Sequence, residues 1–313
     1  MRIAVIGSGS VGCYYGAKLA QCGHDVRFLM RRDLEAVRQS GLTIKSCDGD
    51  FQLEAAAFGD PGEIGQVDLV ICALKATAID DAERLIRPCL GQNTRILALM
   101  NGLGIEDRFV EWFGPERVFG GMAFVCINRG EPAVVHHLAY GRVAFGHYLD
   151  DLKQVEEMAK VFADAGIETM VRPSLKQARW EKLMWNIPFS TLTVTAGGVT
   201  THEIINDPGL KQMAWALMQE TGQAGNAHGC SIDIAVMTRK MMSNTLTMPP
   251  YRPSMLIDYQ NKQPLEVEAI LGEPVRQAAA VGVPVPTIEA QYRLTSFLDR
   301  LNRGEISVSQ SRW

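Results

Sequence analysis

Apolar and polar positions alternate differently in the two halves of the chain. In the first half, short apolar runs alternate with amphipathic stretches. Residues 2–6, 24–30, 67–73 and 96–100 are runs of strand length, rich in β-branched residues and bounded by turn formers. Such unbroken runs suit parallel strands buried on both faces. Residues 10–21, 33–39 and 76–88 carry the helical period between them, with Asp33 as an N-cap. Residues 43–45 and 51–56 read as a hairpin around Asp48-Gly49, and shorter strands recur at 118–125, 133–137 and 143–145. Strands alternating with helices in this way predict βαβ units. From about residue 174 the strand signal disappears. Long helical patterns occupy 176–192, 208–228, 233–242, 264–281 and 286–303, and the break lies near Val171-Arg172-Pro173. The predicted fold class is α/β. A Rossmann-like, doubly wound domain over 1–172 is followed by an all-helical domain over 173–313, with the active site expected between them, at the carboxyl ends of the strands.

Composition agrees with this division. The 313 residues exceed one ordinary domain of about 100–200 residues. Hydrophobic residues at 47% and charged residues at 21% exclude a disordered chain. Lys plus Arg is 31 against 35 Asp plus Glu, a formal net charge of −4, so a nucleic-acid partner held by global charge is not expected. The seven cysteines are odd in number and show no zinc spacing. They read as thiols in a reducing cytoplasm. No run approaches the ~20 apolar residues of a membrane span. Arg2 before an apolar run imitates a signal peptide, but Gly7 stops the run, and Lys18 and Gln21 interrupt the next apolar stretch.

Candidate chemistry begins at Gly7-Ser8-Gly9-Ser10-Val11-Gly12. This GxGxxG directly follows a strand and opens a helix. Gly7 serves the tight turn, Gly9 the approach of a pyrophosphate, and Gly12 the close packing of helix on strand. The helix N-terminus offers free N–H groups to phosphate. The second strand ends in Arg31 and Arg32, where an NAD site usually carries an acidic residue. Arg31, with Arg32 beside it, points to the 2′-phosphate of NADP(H); the alternative is two solvated surface charges. Lys75 follows the third buried strand, and Asn101-Gly102-Leu103-Gly104 follows the fourth. Each sits where a cofactor or substrate would bind, or is respectively a surface lysine and a plain Asn-Gly turn. In the helical half, Lys182 and Asn186 of Trp180-Glu181-Lys182-Leu183-Met184-Trp185-Asn186 share one helix face. A partly desolvated Lys182 would have a pKa lowered into the range of proton transfer, although on spacing alone an ordinary surface lysine is the better reading.

Taken in order, these segments resemble the ketopantoate reductase (2-dehydropantoate 2-reductase) family over essentially the whole chain. The matching pieces are GSGSVG at 7–12, Arg31, the Leu-Lys pair ending at Lys75, NGLG at 101–104, WEKLMWN at 180–186, PSMLID at 253–258 and LEVEAILG at 265–272. The resemblance implies an NADP-dependent oxidoreductase acting on CH–OH, which reduces 2-dehydropantoate to pantoate in pantothenate biosynthesis. It implies that Lys182 is the general acid and that Glu266 is a carboxylate at the cofactor, holding Lys182 charged. Asn186 and Ser254 match substrate positions, Asn101 a residue touching substrate and cofactor, and Lys75 one near the cofactor. Ile127 falls where the family's backbone passes the cofactor, with a slip in register, and Asp258 matches a supporting position.

The chain departs from the family at several substrate positions. Ser190 stands where a second Asn is frequent, Tyr251 where another polar residue is common, Pro253 precedes Ser254, and Met100 replaces a frequent Gln. One lost hydrogen bond can shift selectivity by orders of magnitude, so the 2-oxo acid is open while the reaction class is not. The rivals are another NADP-dependent 2-oxo acid or hydroxy acid dehydrogenase of the same architecture, and a non-catalytic NADPH-binding regulator. No metal is expected, because Lys182 supplies the electrophile and His136 and His137 alternate faces on a strand. The apolar helices of the second half suit a homodimer interface and a single core equally.

Overall fold

The computed structural model describes residues 1–307. The chain forms two compact units: Met1–Met100 with Ile105–Ala178, and Asn101–Gly104 with the chain from Arg179 onward.

The first unit is built on one ten-stranded mixed sheet. Its elements are β1 (Arg2–Ile6), α1 (Ser10–Gln21), β2 (Asp25–Leu29), α2 (Leu34–Ser40), β3 (Leu42–Ser46), β4 (Phe51–Leu53), β5 (Ala56–Phe58) and β6 (Val67–Cys72). There follow α3 (Ile79–Ile86), β7 (Leu90–Ala98), α4 (Ile105–Phe113), β8 (Val118–Arg129), β9 (Val134–His147), α5 (Leu152–Asp164) and β10 (Thr169–Val171). The strand order is β4-β3-β9-β8-β7-β6-β1-β2-β5, with β10 on β9. From β5 to β8 every neighbour is parallel, and the four unbroken apolar runs are the central strands β2, β1, β6 and β7. The order reverses at β1, with β2 on one side and β6 on the other. That reversal is the topological switch point, where ligands of such sheets bind. The core joins Ile3, Val5, Ile71, Leu97 and Phe119 of the sheet to Tyr15 and Leu19 of α1 and Val155 and Phe162 of α5.

Beyond β8 the sheet is mixed: β8–β9 and β3–β4 are antiparallel, while β3 and β10 run parallel to β9. Two long antiparallel strands, β8 and β9, replace the three short ones that the pattern predicts. Ala133, just before β9, and Tyr140 and Gly141 within it have positive φ (64°, 65° and 129°), and the β8–β9 ladder passes over Leu138 and Gly141 at two register shifts. The expected hairpin over 43–56 is also shorter. Phe51–Leu53 pairs with β3, while Ala56–Phe58 crosses to the far edge and pairs with β2.

The second unit is helical, with no strand among its described residues. α6 (Leu175–Thr195) leads into it, followed by α7 (Thr201–Asn206), α8 (Pro208–Ala227), α9 (Ile234–Thr247), α10 (Ser254–Gln260), α11 (Glu273–Ala280) and α12 (Pro286–Asn302). Side chains cap the helix starts: Asp207 for α8, Asp233 for α9, and Thr200 with Glu203 as a capping box for α7. α6 buries Trp180, Leu183, Met184 and Ile187 against Leu217, Met218, Ile270, Leu271 and Ile288. The helix predicted over 264–281 is interrupted. Glu268–Gly272 is a π-helical turn, a form often found at functional sites.

Candidate active site

In the first unit the loop after β1 forms a cradle. Gly7 has φ +94°, and a Cβ there would lie 2.5 Å from the Leu74 amide nitrogen. The turn therefore rests directly on the backbone that leads into Lys75. At Gly9 the opposite holds: nothing lies within 4 Å of the place a Cβ would take. Gly9 is also the N-cap of α1, and no side chain caps that helix. Ser10, Val11 and Gly12 form the first turn, where a helix N-terminus presents its N–H groups to a phosphate. Ser8 braces the loop instead of facing outward, because its hydroxyl donates to the Leu29 carbonyl at 2.8 Å. This bond ties the cradle to the tip of β2, just before Arg31.

Arg31 and Arg32 are both exposed. Asp33 precedes α2 as expected, but its carboxylate makes no capping bond. It pairs instead with Arg129 at the end of β8. The carboxylate at the β2 tip is thereby neutralised, a feature that sequence reasoning missed because Arg129 comes from a distant strand. Lys75 is exposed at the start of a single 3-10 turn after β6. Ile127 is partly buried in β8, beside a register shift against β9. These groups could hold a phosphorylated dinucleotide: the loop is open at Gly9, a helix starts there, and Arg31, Arg32 and Lys75 are exposed cations of the same unit.

The second unit gathers the polar groups of α6. Arg179 and Glu181 are buried at 3% and 8% exposure, and Glu266 at 4%. Lys182 is partly buried, and Asn186 and Ser190 follow at successive helical turns on its face. Burial disfavours the Lys182 ammonium most, the Arg179 charge adds to this, and Glu266 opposes both, leaving its pKa lowered to about 7. Pro188 lies within the same helix and removes the N–H that the Met184 carbonyl would accept, next to the Lys182–Asn186 turn. Arg179 was not legible as a site residue. Its signal is the spacing of three from Lys182, which places it on a neighbouring part of the same face.

Asn101–Gly104 belongs to this unit. The Leu103 amide donates to the Ala269 carbonyl at 2.9 Å. Gly102 has φ +105°, and a Cβ there would overlap Ala269. The Asn101 loop is therefore welded to the π-helical turn that begins just after Glu266. Ser254 opens α10 and is partly buried. The preceding Tyr251 is fixed by both backbone groups. Its carbonyl accepts from the Thr201 amide at 2.9 Å and its amide donates to Thr201 Oγ1 at 3.2 Å. Its ring lies 6.3 Å from that of Trp185 on α6. Asp258 is partly buried within α10.

Two family models match the chain: "Ketopantoate reductase PanE/ApbA" over residues 3–150 and "Ketopantoate reductase PanE/ApbA C terminal" over residues 174–299. A 2-dehydropantoate 2-reductase of Nostoc sp. is 37% identical, over 98% of this chain and 98% of its own length. The crystal structure of 2-dehydropantoate 2-reductase from Geobacter metallireducens is 41% identical, covering 95% of this chain and 99% of that one, with a TM-score of 0.92. A D-mandelate dehydrogenase solved with NADH and anilino(oxo)acetate shares the fold, with a TM-score of 0.90 at 20% identity over 96% of this chain and 99% of its own. With two family models that together span most of its length and relatives that match it nearly end to end, the chain belongs to the ketopantoate reductase family.

Proposed function

We propose that the chain reduces 2-dehydropantoate to pantoate with NADPH, and that Lys182 is the general acid. This reading is supported by the family to which the chain belongs and by the place of Lys182 on α6, where burial and the Arg179 charge lower its pKa to about 7 against the opposing charge of Glu266. A group with that pKa gives up its proton readily at neutral pH and is still substantially protonated there.

Held at the Gly7–Gly12 loop, a nicotinamide cofactor would supply the hydride for the ketone carbon. Negative charge then develops on the carbonyl oxygen, and the Lys182 ammonium neutralises it by donating a proton from Nζ. The neutral amine regains its proton from solvent. Glu266 favours the charged form between turnovers, and Arg179 keeps that form acidic. Asn101, Asn186, Ser190 and Ser254 orient the carboxylate and hydroxyl groups of the substrate. In this division of labour residues 1–172 hold the cofactor and residues 173–313 carry the substrate chemistry, with Asn101 as the exception.

The choice of NADPH over NADH rests on charge at the β2 tip. Arg31 and Arg32 are exposed cations suited to a 2′-phosphate. Asp33, the carboxylate that would repel that phosphate or bind a free 2′-hydroxyl, is engaged by Arg129. Gly7, Gly9, Ser10, Val11 and Gly12 bind the pyrophosphate, Ser8 supports them, and Lys75 and Ile127 flank the cofactor.

The test is a panel of 2-oxo acids assayed with NADPH and with NADH by absorbance. The expected result is the highest kcat/KM for 2-dehydropantoate, with NADPH preferred. A higher value for another oxo acid would transfer the chain to a neighbouring dehydrogenase activity. Cofactor binding without turnover of any acid would make it a regulator.

A further inference from the structure

The first unit holds a cluster of ligating side chains that the reductase reaction does not use. The turn between β3 and β4 carries Cys47 and Asp48, and β9 brings His137 against it. Cys47 Sγ lies 3.7 Å from His137 Nδ1 and 3.8 Å from Asp48 Oδ1. Asp48 Oδ2 lies 3.8 Å from His137 Nδ1. Among the described residues this is the one group of three such side chains whose donor atoms all lie within 4.8 Å of one another.

The spacing suits a tetrahedral ion. Bonds of about 2.3 Å to sulfur and about 2.0–2.2 Å to nitrogen and oxygen give donor–donor edges of about 3.4–3.6 Å. The Cys47–His137 edge of 3.7 Å is within a few tenths of an ångström of this, and the exposed Asp48 carboxylate, with Oδ1 3.8 Å from Cys47 Sγ and Oδ2 3.8 Å from His137 Nδ1, closes the third corner by rotating. The donors are held in place without one. Ser46 is in register with His137 in the β3–β9 ladder, and the Cys47 amide donates to the His137 carbonyl at 3.0 Å.

His137 is oriented as a ligand. Its side chain is fully buried, and the Tyr14 ring lies 4.4 Å from its own. Nε2 sits 2.9 Å from the Tyr140 carbonyl, which can only accept, so Nε2 carries the hydrogen. Nδ1 is left with its lone pair facing the turn, where the Ser46 hydroxyl donates to it at 2.8 Å. A ligating histidine characteristically spends its other N–H on a backbone carbonyl in this way. Cys47 and Asp48 are exposed, which leaves the approach open to solvent.

We propose that Cys47, Asp48 and His137 form a binding site for one zinc-class divalent cation. Cys47 binds as the thiolate, its proton passing to solvent, and the ion displaces the Ser46 hydroxyl from Nδ1. Water completes the tetrahedron. The thiolate–imidazole–carboxylate set selects zinc or its substitutes over magnesium and calcium, which prefer all-oxygen sites. The ion would pin the β3–β4 turn to β9 and so stabilise the first unit. It takes no part in the reduction.

The experiment uses the full-length protein, stripped with chelator and titrated with zinc by calorimetry and with cobalt(II) by absorbance. One equivalent should bind with a Kd of about 1 μM or tighter. Cobalt should give a thiolate charge-transfer band, and zinc should raise Tm. Cys47→Ser and Asp48→Asn should each weaken binding by about tenfold or more and abolish the zinc-dependent rise in Tm, with the chelated variants still reducing oxo acid at the wild-type rate. Cys22→Ser, which removes an exposed thiol elsewhere, should change nothing. Absence of stoichiometric binding, binding that survives Cys47→Ser, or binding lost in Cys22→Ser would overturn the proposal.

Discussion

Lys182 illustrates how far a single residue is legible. Its spacing to Asn186 reads directly from the sequence, and the family motif marks it. Its acidity does not, because burial, the largest cause, and the opposing charge of Glu266 both come from tertiary packing. The sign of each contribution gives a prediction. Only the protonated lysine donates, so kcat/KM for reduction should fall as pH rises through about 7. Glu266→Gln removes the contribution that raises the pKa and should move that limb downward, by about one pH unit. Arg179→Met removes one that lowers it and should move the limb upward by a similar amount. pH profiles of the two variants check both. Shifts in the same direction would contradict the electrostatic account.

At the scale of elements, the glycines separate structural from ligand-facing turns. Gly9 has φ −79° and open space around its missing side chain. Gly9→Ala should therefore leave stability within about 0.5 kcal/mol while raising KM for the cofactor severalfold, as steady-state kinetics and denaturant unfolding would show. Gly102 combines φ +105° with contact against Ala269. Gly102→Ala should cost at least about 1–2 kcal/mol from backbone strain alone and lower kcat/KM by displacing Asn101. The sequence motif flags both glycines alike, since it carries no information on what lies opposite them. For the same reason the long helix expected over 264–281 conceals a π-helical turn. Gly272 and the following Pro274 weaken the local helix, but they do not specify a π-helical turn, which also packs against Leu103 and Tyr292. The short helices α7 and α10, with six and seven residues, are too brief to show a period.

For the molecule as a whole, the sequence is most legible where one local rule decides the outcome. Unbroken apolar runs gave the parallel strands, and the loss of strand signal after residue 174 marked the helical half. Pairings between distant strands obey no local rule. The return of Ala56–Phe58 to β2 and the Asp33–Arg129 ion pair both belong to that class. The net charge of −4 says nothing of the cofactor, whose selection rests on a few local cations. Arg31→Ala should accordingly raise KM for NADPH by about tenfold or more, as expected from loss of a charge-assisted phosphate contact, with NADH little affected. Equal losses would show that Arg31 does not meet the 2′-phosphate.

The central claim is that Lys182 donates the proton. The most direct measurement is single-turnover reduction of 2-dehydropantoate by Lys182→Ala at saturating NADPH, with NADPH affinity measured separately by fluorescence. The account predicts a fall of about 10²–10⁴ in the rate of the chemical step, the usual range for a lost general acid, with cofactor affinity nearly intact. An unchanged rate would contradict it.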